Sequence, residues 1–342
     1  MKQLKIVEPT KGFKYLFGEE LAIINNVQKD CRKILVKNGF NEIITPFLVD
    51  YNLVVGDENQ PVSTAKAAIV FDFKSANGER LALRYENTLP VCKFYVDNLL
   101  GEKNKVQKLF YISPQFRNEI VTDVNSRLRQ FYQIGWEVIG GKKPTYVTDS
   151  IMIGISMLWK LKIRYQVKIS EVNILSDIFD KLKLTRKQKH TLLLIIDDRN
   201  NDELNKFLKE VKLKDYQTQL IKSVMTVTGD PDLVFGIIKP LLIKNGNSKT
   251  LLRLKKLAKI YKDLKRTKNG NIKIDLSLVR SNKFYSGIIF QYYVGDIDHE
   301  CGGGGEYNRV IKSLGGPETI SSGGAFGFER VMYEYLSNYK NG

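Results

Sequence analysis

The period of apolar residues changes several times along this chain, and each change marks a predicted element. Over residues 19–38, Leu21, Ile24, Val27, Cys31 and Ile34 recur at three- and four-residue spacing, which predicts an amphipathic helix. Gly39 follows as a natural helix stop, because glycine accepts the left-handed conformation found there. Residues 40–48 predict a strand ended or bent by Pro46. Residues 69–85 predict a hairpin about Asn77-Gly78, a pair that tolerates positive φ at both turn positions. The returning strand delivers Arg84, Glu86 and Thr88 two apart, hence on one face. Glu86 is set to meet a ligand ammonium group. Thr88, two residues before Pro90, also fits a helix cap.

Segments 110–119 and 128–140 predict an antiparallel pair carrying chemistry. Arg117 and Glu119 share one face, and Gln133 and Glu137 share another with the side-chain-free Gly135 between them. The result is a floor with a cation for phosphate, a carboxylate and an amide for a polar ligand, and a gap for that ligand. Each segment alone reads equally as the polar face of an ordinary hairpin.

A helix is predicted over 147–161. Over 175–268 the pattern is helical, lysine-rich and poor in aromatics, with breaks at 197–201 and 229–231. Strand signals return at 272–280 and 286–294. The chain therefore divides into a core of 1–174 and 269–342 and an inserted helical subdomain of 175–268. Four successive glycines, Gly302 to Gly305, permit close backbone approach to a ligand or form a mobile loop. No strand–helix unit surrounds them, so a dinucleotide fingerprint does not apply. Near the end, a glycine-rich strand runs into a helix that begins with Glu329 and Arg330. An arginine there can reach a phosphate, although a solvated arginine on a first turn is the commoner case.

Composition narrows the class. With 342 residues, 43% hydrophobic and 27% charged, the chain has room for a large core. It has no apolar run long enough to span a membrane and no signal-peptide core, so a cytoplasmic protein is expected. Three scattered cysteines give no disulfide framework, and two histidines, His190 and His299, assemble no zinc site; no metal centre is expected. The net charge of +17 suits nucleic acid, but the excess is lysine spread over helices rather than an arginine stripe. Charge alone does not decide for tRNA.

Taken in order over residues 11–336, these segments resemble the class II aminoacyl-tRNA synthetases in their histidyl form. The helix–strand–proline unit is similar to motif 1, RYENT to the segment holding the amino acid's α-amino group, FRNE with residues 128–140 to motif 2, and GFER to motif 3. The resemblance implies an α+β fold: a class II synthetase-like antiparallel sheet flanked by helices, with an inserted helical subdomain, in a homodimer joined through motif 1. It implies a histidine pocket of Glu86, Thr88, Gln133, Glu137, Arg280, Tyr285 and Tyr307. Arg117 and Glu119 would hold the ATP α-phosphate and adenine, and Arg330 the γ-phosphate. Arg280 would stabilise charge as the carboxylate attacks ATP.

Three departures bear on function. The chain ends shortly after the motif 3 segment, so no anticodon-binding domain is expected. The signature Arg-Gly-Leu-Asp-Tyr-Tyr-Thr-Gly reads Arg280-Ser281-Asn282-Lys283-Phe284-Tyr285-Ser286-Gly287, and Gly-Gly-Arg-Tyr-Asp reads Gly304-Gly305-Glu306-Tyr307-Asn308. Lys283 and Glu306 reverse the family's charges and are candidates to pair with each other. Such a core resembles the regulatory subunit of ATP phosphoribosyltransferase, which binds histidine and activates a short-form catalytic subunit. On that reading there is no catalysis and no tightly bound cofactor. The alternative is an active ligase that makes an aminoacyl-adenylate from histidine and ATP with Mg, using Arg117 and Arg280. A nucleic-acid-binding or scaffolding relative is the third reading; tRNA is not the favoured partner and a membrane is none.

Overall fold

The computed structural model describes residues 10–56, 69–102, 105–121, 128–266, 271–279, 284–295 and 299–341. Arg280 and Lys283 lie outside the described residues. The N-terminal helix α1 (Gly18–Lys37) buries Ile24, Val27, Cys31 and Leu35; Leu21, read as part of that stripe, is exposed. Gly39 takes a positive φ just past its end. Then come β1 (Asn41–Glu42), β2 (Leu48–Asp50), α2 (Tyr51–Val55), β3 (Asp72–Lys74), β4 (Arg80–Leu83) and α3 (Thr88–Asn98). The long pair β5 (Val106–Phe116) and β6 (Gln130–Gly140) follows, then α4 (Val147–Lys160) and β7 (Tyr165–Glu171).

Between β7 and the next long strand lie α5 (Asn173–Lys181), α6 (Arg186–Asp197), α7 (Asn201–Val211), α8 (Asp215–Thr226), β8 (Thr228–Gly229), α9 (Pro231–Lys244) and α10 (Ser248–Lys265). The chain then adds β9 (Ile272–Asp275), β10 (Ile288–Val294), β11 (His299–Glu306), α11 (Val310–Ser313), β12 (Ser321–Gly327) and α12 (Phe328–Asn341).

One nine-stranded sheet runs β1-β5-β6-β12-β11-β10-β7-β9-β8, and β2-β4-β3 form a smaller one. The six strands from β5 to β7 are antiparallel to their neighbours, while β1 joins β5 and β9 joins β7 in parallel. The expected antiparallel sheet is therefore mixed at its margins. Alternation along β6 sends Ile134, Trp136 and Val138 to one face, where they pack with α1 and α4 residues; the Trp136 indole donates to the Ser150 carbonyl at 3.0 Å. The opposite face carries Tyr111 of β5 and packs against α3 through Leu89, Val91, Cys92 and Tyr95. The run Gly302 to Gly305 is a strand and not a loop: it pairs with β10 on one side and β12 on the other.

The strand expected over 40–48 is divided, and Arg84 is the reason. Its guanidinium, with no exposed surface, donates to the carbonyls of Thr45 (2.6 Å), Pro46 (3.3 Å) and Pro114 (2.9 Å). Those carbonyls are thereby taken out of any ladder, and Pro46 has no N–H to offer. Burial lowers the Arg84 pKa to about 10, so it stays charged at neutral pH. Arg84 thus holds the two sheets together and takes no place beside Glu86 on a ligand-facing strand.

The segment between β7 and β9 is fixed to the core by the short β8, which pairs with β9, and by ion pairs: Arg199 to Asp275 (2.5 Å), Arg253 to Glu171 (3.2 Å) and Lys256 to Glu306 (2.9 Å). Replacing Arg84 by Met should strand three buried carbonyls. The expected loss is about 3 kcal/mol of unfolding free energy, seen as a lower urea midpoint at unchanged m-value.

Candidate functional site

Glu86 lies between the end of β4 and the start of α3 and turns its carboxylate onto the first turn of that helix. It accepts the backbone N–H of Leu89 at 3.0 Å and, at shorter range, that of Thr88. These amides have no partner within the helix, so the acid rather than Thr88 is the cap. Burial raises the Glu86 pKa, while the two amides, the Thr88 hydroxyl and the Arg117 charge lower it.

Thr88 is thereby free to point elsewhere, and its hydroxyl donates to Glu137 Oε1 at 2.9 Å. The other oxygen of Glu137 accepts a short hydrogen bond from the Tyr307 hydroxyl. Glu137 is 1% exposed, and its pKa is pushed up to about 8. Burial is the main cause; Tyr307 and Thr88 oppose it, and the nearby Glu86 charge adds to it. Half-buried Glu86 and buried Glu137 thus stand together with hydroxyl donors and, among the described residues, no ion-pair partner on either, an arrangement that favours a cationic ligand group. Cys92 lies against the same acids, which with burial raise its thiol well above the usual range and leave it inert.

The expected gap over Gly135 is filled. Tyr111, opposite Gly135 in the β5–β6 register, lays its ring where a Cβ at that position would stand. Tyr111 was missed in the sequence, although it shares strand parity with Arg117 and so was open to being found. Tyr285 stacks on Phe284 at 4.6 Å between ring centres, and Phe284 meets Tyr307 edge-on at 6.0 Å. Ser286 N–H donates to the Glu306 carbonyl at 2.8 Å, joining this aromatic segment to the end of β11. Glu306 itself is buried and held by Lys256, by the Thr145 hydroxyl (2.5 Å) and by the Ile288 N–H (2.8 Å). Lys256, on α10, was not singled out in the sequence as a partner for it.

The polarity reverses at the other end of β6. Gln133 lies four residues from Glu137, a strand distance of about 13 Å. Its Oε1 is buried without a partner. Arg117 follows β5 directly, its N–H donating to the Arg129 carbonyl at 2.8 Å. Its guanidinium lies 4.4 Å from the Tyr85 ring centre and 4.7 Å from that of Phe131, and its Nε is buried and unpartnered. Glu119 is half-buried, and its carbonyl accepts from Arg129. Arg330 sits exposed on the first turn of α12 and donates to the Glu300 carbonyl. Gly327, three residues earlier, is the register partner of Gln133, so Arg330 belongs to this end of the sheet. The structure therefore gathers Glu86, Thr88, Glu137 and Tyr307 by direct contact and sets Gln133, Arg117 and Arg330 toward the other end. Glu329 was read only as Arg330's neighbour, yet its buried carboxylate holds the Tyr132 N–H at 2.7 Å. Among the described residues no group of acids, histidines and cysteines is placed to hold a metal ion, and no helix is long and apolar enough to cross a membrane.

The chain is similar to known proteins along most of its length. The family profile described as Histidyl-tRNA synthetase matches residues 12–331. A histidine–tRNA ligase from Methanococcus aeolicus is 29% identical over 327 residues, 94% of this chain and 75% of the relative. Another from Mesoplasma florum is also 29% identical, over 96% of this chain and 67% of the relative. Among solved structures, an ATP phosphoribosyltransferase regulatory subunit/histidyl-tRNA synthetase from Bacillus halodurans superposes with a TM-score of 0.82 at 19% identity, over 97% of this chain and 84% of the other. A histidine–tRNA ligase subunit from Alicyclobacillus acidocaldarius gives 0.81 at 15% identity, over 98% and 99%. These likenesses carry the class II synthetase-like fold. With the profile matching nearly its whole length, the chain belongs to the histidyl-tRNA synthetase family.

Proposed function

We propose that this chain binds histidine and ATP in one site and joins them as histidyl-adenylate, the first step of a histidine–tRNA ligase. The observation that carries the reading is the polarity of β6 and its neighbours: a carboxylate pair, half-buried Glu86 and buried Glu137, at one end, and Arg117, whose buried Nε has no partner among the described residues, at the other. The acids suit the ammonium and imidazole of histidine, with Thr88 and Tyr307 holding Glu137 in place. Gln133, Tyr285 and Tyr307 complete the amino-acid end. Arg117, Glu119 and Arg330 suit the phosphates and base of ATP, which would bring its own Mg. In the reaction a carboxylate oxygen of histidine attacks the α-phosphorus, the bond to the bridging oxygen breaks and pyrophosphate leaves. The nucleophile is already ionised, so no base is needed, and the work falls to cations that offset the developing charge. Arg280 is assigned part of that work by the family resemblance alone. The ligase name borne by the relatives aligned along 94–96% of this chain supports the reading.

A second reading, favoured by Glu306 standing where the family's Gly-Gly-Arg-Tyr-Asp has arginine, is the regulatory subunit of ATP phosphoribosyltransferase. The same pocket would then sense histidine for a short-form catalytic subunit. Either reading fits a cytoplasmic homodimer; exposed Ile44 (85%) and Phe47 (49%), in the motif 1 unit, supply apolar surface for it.

Histidine-dependent ATP–pyrophosphate exchange separates the two. The ligase reading expects exchange that Arg117→Ala lowers about a hundredfold or more. No exchange, with histidine still raising the thermal midpoint, would overturn it in favour of the sensor. Glu137 gives a further test. Its folded pKa of about 8 exceeds the ordinary 4.5, so its contribution to stability is full below about 4.5 and lost as pH rises through about 8. A cationic ligand reverses that shift and expels the proton. Calorimetry at neutral pH in buffers of different ionisation heat should show proton release on histidine binding. Glu137→Gln should abolish the release and weaken binding roughly 10- to 100-fold.

A further inference from the structure

The helix α10 meets the core at one place with two cations. Arg253 and Lys256 are three apart, so they share a face of the helix. Arg253 Nη1 lies 3.2 Å from Glu171 and Lys256 Nζ 2.9 Å from Glu306, and both acids are only 3% exposed. The acids flank one short stretch of backbone. Glu171 is the register partner of Ile288 across the β7–β10 pair, while Glu306 Oε2 accepts the Ile288 N–H at 2.8 Å. The Glu306 carbonyl also accepts the Ser286 N–H. The Glu306 carboxylate lies so close to Gly287 that a Cβ there would collide with it. Tyr285 immediately precedes this stretch, and Tyr307, the residue after Glu306, donates to Glu137.

Among the described residues the other partners of the Glu306 carboxylate are neutral donors, Thr145 Oγ1 and Ile288 N–H. Its counter-charge among the described residues comes from Lys256, 50 positions earlier in the chain. A carboxylate that is nearly buried tolerates its charge only while that cation stays docked. Removing the ammonium makes it favourable for Glu306 to leave toward solvent, which releases Ile288 and Gly287 and shifts both tyrosines.

We propose that Lys256, through Glu306, is a positioning residue for the histidine end of the site, so that docking of α10 and histidine affinity are coupled. The inference rests on the histidine-binding reading given above. By linkage, histidine must then favour the docked helix as much as docking favours histidine. Lys256 is itself 47% exposed and lines an open cleft of about 540 Å³ with Lys143, Asp149 and Lys259, so added salt reaches the pair and should weaken histidine binding with it.

The test uses the whole chain and separates histidine from ATP. Histidine and ATP dissociation constants are measured by calorimetry for the wild type, Lys256→Met, Lys256→Arg, Glu306→Gln and the Lys256→Met/Glu306→Gln pair. Deuterium uptake over residues 248–265 is followed with and without histidine. Lys256→Met is expected to raise the histidine constant roughly three- to tenfold at unchanged ATP affinity, Lys256→Arg to restore it, and the double variant to be no worse than the worse single one. Histidine should slow exchange in α10 of the wild type and not of Lys256→Met. An unchanged histidine constant in Lys256→Met, an equal loss for ATP, or additive effects in the double variant would overturn the coupling alone. Failure of the wild type to bind histidine would overturn the site reading and the coupling with it.

Discussion

Burying the Glu137 carboxylate in the middle of a nine-stranded sheet is the constraint around which the site is built. A charge placed there is costly unless hydrogen-bonded, and two distant hydroxyls are brought to it. Thr88 arrives on the first turn of α3 and Tyr307 follows the end of β11, separated from Glu137 by 49 and 170 positions in the chain. Thr88 can serve only because Glu86 has taken over the capping of its own helix. The acid that caps the helix thereby stands beside Glu137, where its charge adds to burial in raising the Glu137 pKa, and a cation is favoured at this end of the site. Packing, capping and ligand preference are one arrangement seen at three scales.

Much of this was legible in the sequence because strand periodicity transmits side-chain direction directly. Gln133 and Glu137 were separable from the apolar residues of β6 by parity alone, and the gathering of Glu86, Thr88 and Tyr307 followed from family resemblance. What parity cannot show is which partner a side chain meets across the fold. Arg84 has the right spacing to join Glu86 on one face, yet it is drawn into the interior by carbonyls of Thr45, Pro46 and Pro114, all more than 25 positions away. Glu306 was a candidate partner for Lys283, which lies outside the described residues; among the described residues Lys256 on α10 holds it. The loop reading of the glycine run failed for a related reason. Its flexibility was local information, whereas its strand geometry is imposed by β10 and β12 on either side.

The lysine-rich segment between β7 and β9 is more than an appendage of the core. It contributes a strand to the sheet through β8 and cations to Asp275, Glu171 and Glu306. The last of these contacts ends one residue from Tyr307. An excess of basic residues that composition alone could not interpret thus includes three with defined acidic partners in the core.

The order of the large sheet has a consequence for the behaviour of the chain in concentrated solution. A sheet of nine strands has two lateral edges, each a row of backbone groups able to template another chain. Here those edges are β1 and β8, and each is two residues long. Of the 11-residue strands, β6 is flanked by β5 and β12, while β5 has β1 beside it at Leu109 and Phe110 and Arg84 against Pro114 and Phe116. A wide and strongly apolar sheet is thereby kept from edge-to-edge aggregation by the shortness of its outermost members.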